Sequence, residues 1–273
     1  MSYKTILVGV DIDHPFDPLL DFAVDLASRL GARLVGFSAA EARLPYAGPE
    51  GASIAAEVWV QEEEEIQRRL DHLARSWKAR ADGKVEVEWR GRIGDPTRCL
   101  AEAARIADLV VTVAPSGAAS GDPYRVVDPG SLALQTGRPV LIAPSHAPRL
   151  RTEEVVIAWK DTRESRRAVG DALPLLALAG RVTVVTVDRE PDEETRAGVS
   201  DVADYLSRHR IQARTQVIAA KDEVGGLCDY LSEHRPDLFV SGAWGHSRLR
   251  EWAFGGVTRA LLDYPDACRF MSN

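Results

Sequence analysis

Directly behind the apolar run Leu238-Phe-Val-Ser241 the chain places Gly242, Gly245, Gly255 and Gly256, in the spacing G-x2-G-x9-G-G. A glycine-rich turn between a strand and a helix suits one kind of chemistry, the holding of an anion. Glycine adopts positive φ and leaves no Cβ in the way, so backbone amides come close to a phosphate, with a helix dipole behind them. Thr258 adds a hydroxyl in the first turn of the helix-like segment that follows. His246 and Ser247, after the second glycine, either touch the phosphate or face water. The bland alternative is that these glycines serve only turns and close packing.

Other chemistries find less support. No G-x-x-x-x-G-K-[ST] loop, G-x-G-x-x-G fingerprint, G-x-S-x-G elbow or H-E-x-x-H pair occurs in the chain. Cys99, Cys228 and Cys268 include no C-x-x-C pair and have no histidines at zinc-ligand spacing, so they read as small apolar residues of a reduced compartment. No nucleophile stands beside an identifiable base, and no set of metal ligands is evident. The expectation is binding, with slow turnover at most.

The elements that position the glycine turn repeat along the chain. Ile6-Leu-Val-Gly-Val10 reads as a strand, and Leu19, Phe22, Leu26 and Leu30 mark a helix face that Gly31 ends. Strands at 33–37, 84–89, 108–113 and 137–143 follow, with helices carrying Ile66, Leu70, Leu73 and Trp77, and from Asp95 onward. After a Pro-bearing link from Pro144 to Thr152 the order starts again. Strands are expected at 155–159, 181–187, 214–218, 236–240 and 267–271. The helices between them begin near Glu164, with a kink at Pro174, then span 192–208 and carry Val224, Leu227 and Leu231. Pro236-Asp-Leu-Phe-Val240 matches Ala107-Asp-Leu-Val-Val111 position for position. Two α/β domains are predicted, at 1–147 and 152–273, with mostly parallel sheets that bind ligands at the carboxyl ends of their strands.

Composition sets outer bounds. With 45% apolar residues, 27% charged residues and a formal charge of -7, the chain reads as an ordinary globular protein, not a general nucleic-acid binder. No apolar run is long enough to span a membrane. The start of the chain is interrupted too soon by Asp11 and Asp13 for a signal peptide, so a cytoplasmic location is expected.

The doubled unit, Val8-Gly-Val-Asp11 at the end of the first strand, the Ala-Asp-Leu-Val-Val strand and the G-x2-G-x9-G signature together resemble a tandem universal stress protein. The resemblance implies two Rossmann-like domains, each an open five-stranded sheet of order 3-2-1-4-5 with helices on both faces. In many members it implies ATP, or ADP or AMP, near the ends of strands one and four; other members lack nucleotide. Carried over, Gly242, Gly245 and Gly255 match the signature glycines, and the amides of Gly255, Gly256 and Val257 would cradle phosphate. Gly256 stands where the ATP-binding pattern has Ser or Thr, with Thr258 a partial substitute. Lys160 stands where an acidic residue often faces the nucleoside, with Asp161 one step later. Lys160 would pair with phosphate or project from the loop into solvent, and Val187 would lie beside adenine or pack in the core.

The first half keeps Asp11 but reads Ala114-Pro-Ser-Gly117-Ala-Ala-Ser-Gly121 where the second has its signature, and Pro115 removes an amide. It is read as degenerate for nucleotide, its other role being the partner surface that single-domain relatives make by dimerising. Asp128 is expected to cap the next helix, with Pro129 in its first turn. Pairs Glu64–Arg68 and Glu65–Arg69 are expected along a solvated helix face. Arg269, in an otherwise apolar last strand, is expected at an edge facing solvent or the other half. The functional expectation is a stress-response protein that binds an adenine nucleotide in its C-terminal half as sensor or regulatory module. The alternative is a nucleotide-free protein acting through homotypic or heterotypic association.

Overall fold

The computed structural model describes residues 2–43, 52–81, 83–113, 122–243 and 267–273. In chain order the elements are β1 Thr5–Gly9, α1 Asp17–Leu30, β2 Arg33–Ala40, α2 Ala52–Ala81, β3 Val87–Ile93, α3 Pro96–Ala103, β4 Leu109–Val113, α4 Pro129–Gln135 and β5 Val140–Ala143. The second series is β6 Glu154–Ala158, α5 Arg163–Leu176, β7 Arg181–Asp188, α6 Glu193–Arg208, β8 Ala213–Ala219, α7 Glu223–His234, β9 Leu238–Gly242 and β10 Cys268–Ser272.

All the described strands lie in one ten-stranded sheet of order β3-β2-β1-β4-β5-β10-β9-β6-β7-β8. Each half has the order 3-2-1-4-5 with parallel neighbours, and the halves join where β5 and β10 pair antiparallel through Leu141 and Phe270. Helices cover both faces. One core runs beneath α1, α2, α5 and α6, the other beneath α3, α4 and α7, and both cross from one half into the other.

Local signals set most boundaries. Gly31, at φ 64°, closes α1 in the left-handed conformation that costs glycine least. Asp95 caps α3 by accepting from the Arg98 amide at 2.7 Å, and Asp128 caps α4 by accepting from Gly130, with Pro129 in the first turn as expected. The matched Asp-Leu motifs have a structural job in both halves. Asp108 accepts from the Lys4 and Thr5 amides at 2.8 and 3.0 Å, and Asp237 accepts from the Glu154 amide at 3.0 Å. Each carboxylate thus ties the start of a fourth strand to the start of a first strand, satisfying amides that the sheet ladder leaves unpaired.

Several expectations are corrected. The strand expected at 84–89 is β3, which begins only at Val87, because the turn after α2 runs on to Glu86. Helix α5 includes Pro174 in its last turn, where the proline has no amide hydrogen to donate to the Gly170 carbonyl one turn back. Arg69 pairs with Glu65, but Arg68 reaches the Glu64 backbone carbonyl at 3.3 Å, not its carboxylate. Arg269 is not at an edge. It is 2% exposed in β10 and faces the other half, opposite Ile142 of β5.

The junction is more than a strand pair. Tyr3 donates its hydroxyl to the Asp171 carbonyl, Ser272 donates to the Asp171 carboxylate at 2.6 Å, and Arg29 donates to the Leu150 carbonyl at 2.7 Å. Burial pushes the Tyr3 phenol well above its ordinary pKa.

Candidate functional site

The carboxyl ends of β9, β6 and β7 lie side by side and bring three predicted residues to the same end of the sheet. Ala158 of β6 is paired with Ser241 on one side and Val185 on the other. Two residues further, Lys160 lies at the carboxyl ends of the strands, flanked by the end of β9 at Gly242 and by Val187 of β7. This is the place at which parallel α/β sheets bind ligands.

Gly242 has a definite packing role. A Cβ on it would lie 2.6 Å from the Ser165 amide nitrogen and 2.7 Å from the Glu164 carbonyl carbon. The missing side chain lets the first turn of α5 rest on the end of β9. That turn is fixed by Thr162, whose Oγ1 accepts from the Ser165 amide at 3.2 Å. Two buried polar atoms beside this contact, Ser241 Oγ and Glu164 Oε2, have no hydrogen-bond partner among the described residues. An unsatisfied carboxylate oxygen suits the hydroxyl or amino group of a nucleoside better than a phosphate, which it would repel.

Lys160 is held. Its ammonium group donates to Glu223 Oε2 at 2.7 Å, linking the β6–α5 loop to the first residue of α7. Asp161 accepts from Arg166 at 2.8 to 2.9 Å, so neither charge is unpaired. Both pairs are solvent-exposed and cost little to open. Val187 packs toward α7, where its Cγ1 would lie 3.0 Å from a Cβ on Gly226. Gly245, His246, Ser247, Gly255, Gly256, Val257 and Thr258 lie outside the described residues.

In the first half the equivalent strand end is closed by its own charges. Asp11 Oδ2 lies 2.9 Å from His14 Nδ1, and Asp11 Oδ1 accepts from the Asp13 amide at 3.0 Å. Asp13 accepts from Arg125 at 2.5 and 3.1 Å and also pairs with Arg69. The Arg125 hydrogen bond, helped by the charges of Arg125 and Arg69, holds the Asp13 carboxyl below the usual carboxylate range. Arg125 also lies 3.6 Å from Glu62, so four charged side chains satisfy one another where a ligand would need them free. No feature of the residue order announced this network, because Asp13, Glu62, Arg69 and Arg125 are scattered along the chain. The stretch 114–121 that replaces the glycine signature lies outside the described residues.

Among the described residues no group of three or more His, Cys, Asp or Glu side chains could hold a metal ion. No described helix is long and apolar enough to cross a membrane. Cys99 and Cys268 are buried, Cys228 is partly exposed, and all three are free thiols.

Comparison with known proteins matches part of the chain to a family. Residues 2–120 match the sequence model of the Universal stress protein family. That match covers the half with the self-paired strand end and stops well short of the glycine signature. No curated protein matches the chain. Among solved structures it is similar to a universal stress protein from Archaeoglobus fulgidus DSM 4304, at 13% identity and a TM-score of 0.73, covering 98% of this chain and 96% of that one. It is also similar to a putative universal stress protein from Pseudomonas aeruginosa UCBPP-PA14, at 15% identity and a TM-score of 0.62, covering 99% and 93%. At these identities the likeness is one of fold.

Proposed function

We propose that this chain is a cytoplasmic tandem universal stress protein that binds an adenine nucleotide, ATP foremost, in its C-terminal half and acts as a sensor or regulatory module. The observation that carries the reading is the convergence at the ends of β6 and β9. Gly242 opens the G-x2-G-x9-G signature there, beside a Glu164 oxygen and a Ser241 hydroxyl that no described residue satisfies. On this reading the amides of Gly255, Gly256 and Val257 take the phosphates, with Gly245, His246, Ser247 and Thr258 around them. Glu164 accepts from the nucleoside, and Lys160 leaves Glu223 to meet negative charge as a point charge. Val187 contributes apolar surface on the neighbouring strand. The network of Asp13 with Arg125 makes the N-terminal half structural, leaving one nucleotide per chain. With no nucleophile and base identified, the nucleotide is held, not consumed.

The test is thermal unfolding with and without ATP, for the wild type and Gly245→Asp. Nucleotide at a hundredfold excess over Kd stabilises the folded chain by about 2.7 kcal/mol. For a chain of this size that is a rise of roughly 5 to 11 °C, which Gly245→Asp should abolish. An unchanged wild-type Tm, with no nucleotide released on denaturing the purified protein, refutes the reading. It would leave the glycines to packing, the role Gly242 already performs beside α5, and the protein to act by association.

A further inference from the structure

Helices α5 and α6 do not close over each other. In the first half Trp77 of α2 is fully buried and its ring centroid lies 6.4 Å from that of Phe16, filling the space beside α1. Helix α6 has 16 residues against 30 in α2, and at the position in its Val199, Val202, Leu206 stripe that matches Trp77 it carries Leu206. What remains is a groove of about 420 Å³, within the range of small-ligand sites.

Two aromatic side chains cross this groove in opposite directions. Trp159, from the end of β6, reaches α6, its indole Nε1 4.0 Å from where a Cβ of Gly198 would stand. Tyr205 reaches back to α5, its hydroxyl 3.9 Å from the equivalent point on Gly170. Each of these side chains thus lies against a helical glycine across the groove. Val169 and Val202 form an apolar floor. The charge of the lining is one-sided: Arg166 is neutralised by Asp161, whereas the exposed Asp201 carboxylate has no ion-pair or hydrogen-bond partner among the described residues.

We propose that the groove between α5 and α6 is a binding site for a small organic cation, an amine carried on a flat apolar body. The body lies against Trp159 and Tyr205, and the ammonium group meets Asp201. Aromatic faces and a carboxylate favour a cation together, the ring quadrupole and the full charge having the same sign. An anion would have to displace Asp161 from Arg166. This site is independent of the nucleotide reading, although the two share the loop that begins at Trp159.

Isothermal titration with three indole probes tests the proposal: tryptamine, a cation; tryptophol, neutral; and indole-3-acetate, an anion. The expected order of affinity is tryptamine, then tryptophol, then indole-3-acetate. Asp201→Asn, at an exposed position, should weaken tryptamine about tenfold and leave tryptophol unchanged. Trp159→Leu should weaken tryptamine and tryptophol alike. The absence of saturable tryptamine binding, or a preference for the cation that survives Asp201→Asn, overturns the site. Binding untouched by Trp159→Leu in a folded variant does so as well. If Trp159→Leu does not fold, the Asp201→Asn comparison decides alone. ATP titrated in parallel separates the two readings, since loss of either ligand's binding leaves the other result standing.

Discussion

A single methyl group at Gly242 is the sharpest probe of how the candidate site is assembled. In Gly242→Ala the added carbon would lie 2.6 Å from the Ser165 nitrogen, 2.7 Å from the Glu164 carbonyl carbon and 2.8 Å from Glu164 Cβ. The first two are backbone atoms of a helix turn that Thr162 caps, so no rotamer change relieves the contact. The turn must retreat by roughly 1 Å to restore ordinary carbon contact distances. Overpacking of this kind costs about 1 to 3 kcal/mol, and the upper part of that range applies because a whole helix end moves. At roughly 2 to 4 °C per kcal/mol for a chain of this size, Tm should fall by about 4 to 12 °C. The control is the same substitution at Gly198 in α6, where the nearest atom outside its own helix, Trp159 Nε1, is 4.0 Å from the new Cβ. There alanine relieves the entropic cost of a helical glycine and should stabilise by about 0.5 to 1 kcal/mol. Differential scanning calorimetry on both variants gives the answer as a sign. Equal shifts, or a Gly242→Ala Tm within a degree of wild type, would refute the view that Gly242 exists to seat α5.

Arg125→Ala should remove stability that depends on an ionised Asp13. The folded-state pKa of Asp13 is depressed, so its contribution is present above the unfolded value of about 3.9 and lost as pH falls toward the folded one. The Tm gap between wild type and variant should therefore shrink between pH 5 and 3, and a gap constant over that range contradicts the assignment. Tyr3→Phe deletes the hydrogen bond to the Asp171 carbonyl across the junction and should cost about 1 to 2 kcal/mol in urea midpoint analysis. Because the phenol pKa is raised, wild type should also lose stability above about pH 10, a loss that Tyr3→Phe lacks. A thiol reagent at pH 8 should label one cysteine quickly. Cys228 is partly exposed, whereas Cys99 is buried and the Cys268 thiol is buried and pushed up to about 12. Cys228→Ser should abolish the fast phase, and rapid labelling of Cys268 would contradict its burial.

Much of this architecture is written in local patterns. The apolar stripes Leu19, Phe22, Leu26 and Val199, Val202, Leu206 became the buried faces of α1 and α6, because helical periodicity reports which face an element turns inward. The caps Asp95 and Asp128 and the stop at Gly31 acted where they stand, since capping needs only neighbours three or four residues away. The repeat of Asp108-Leu at Asp237-Leu was legible as a repeat, but its task of holding the first strand of each half was not. For the candidate site, the sequence supplied the glycine spacing and placed Lys160 at a strand end. That β6 lies between β9 and β7, bringing Lys160, Gly242 and Val187 to one end of the sheet, came from strand pairing.

Residue order alone therefore determined the element types, the doubled βα series and the caps that start or stop several helices. Tertiary structure decided that β5 and β10 pair antiparallel and fuse two five-stranded sheets into one, which buries Arg269 where an edge was expected. It also set Arg125 on Asp13 and Glu223 on Lys160, and left a groove where Trp159 and Tyr205 cross. The division has a physical cause. Periodicity and capping are energies between neighbours in the chain, readable a few residues at a time. Strand partners, charge partners and unfilled space join residues tens to more than a hundred positions apart, and take form only when the whole sheet closes.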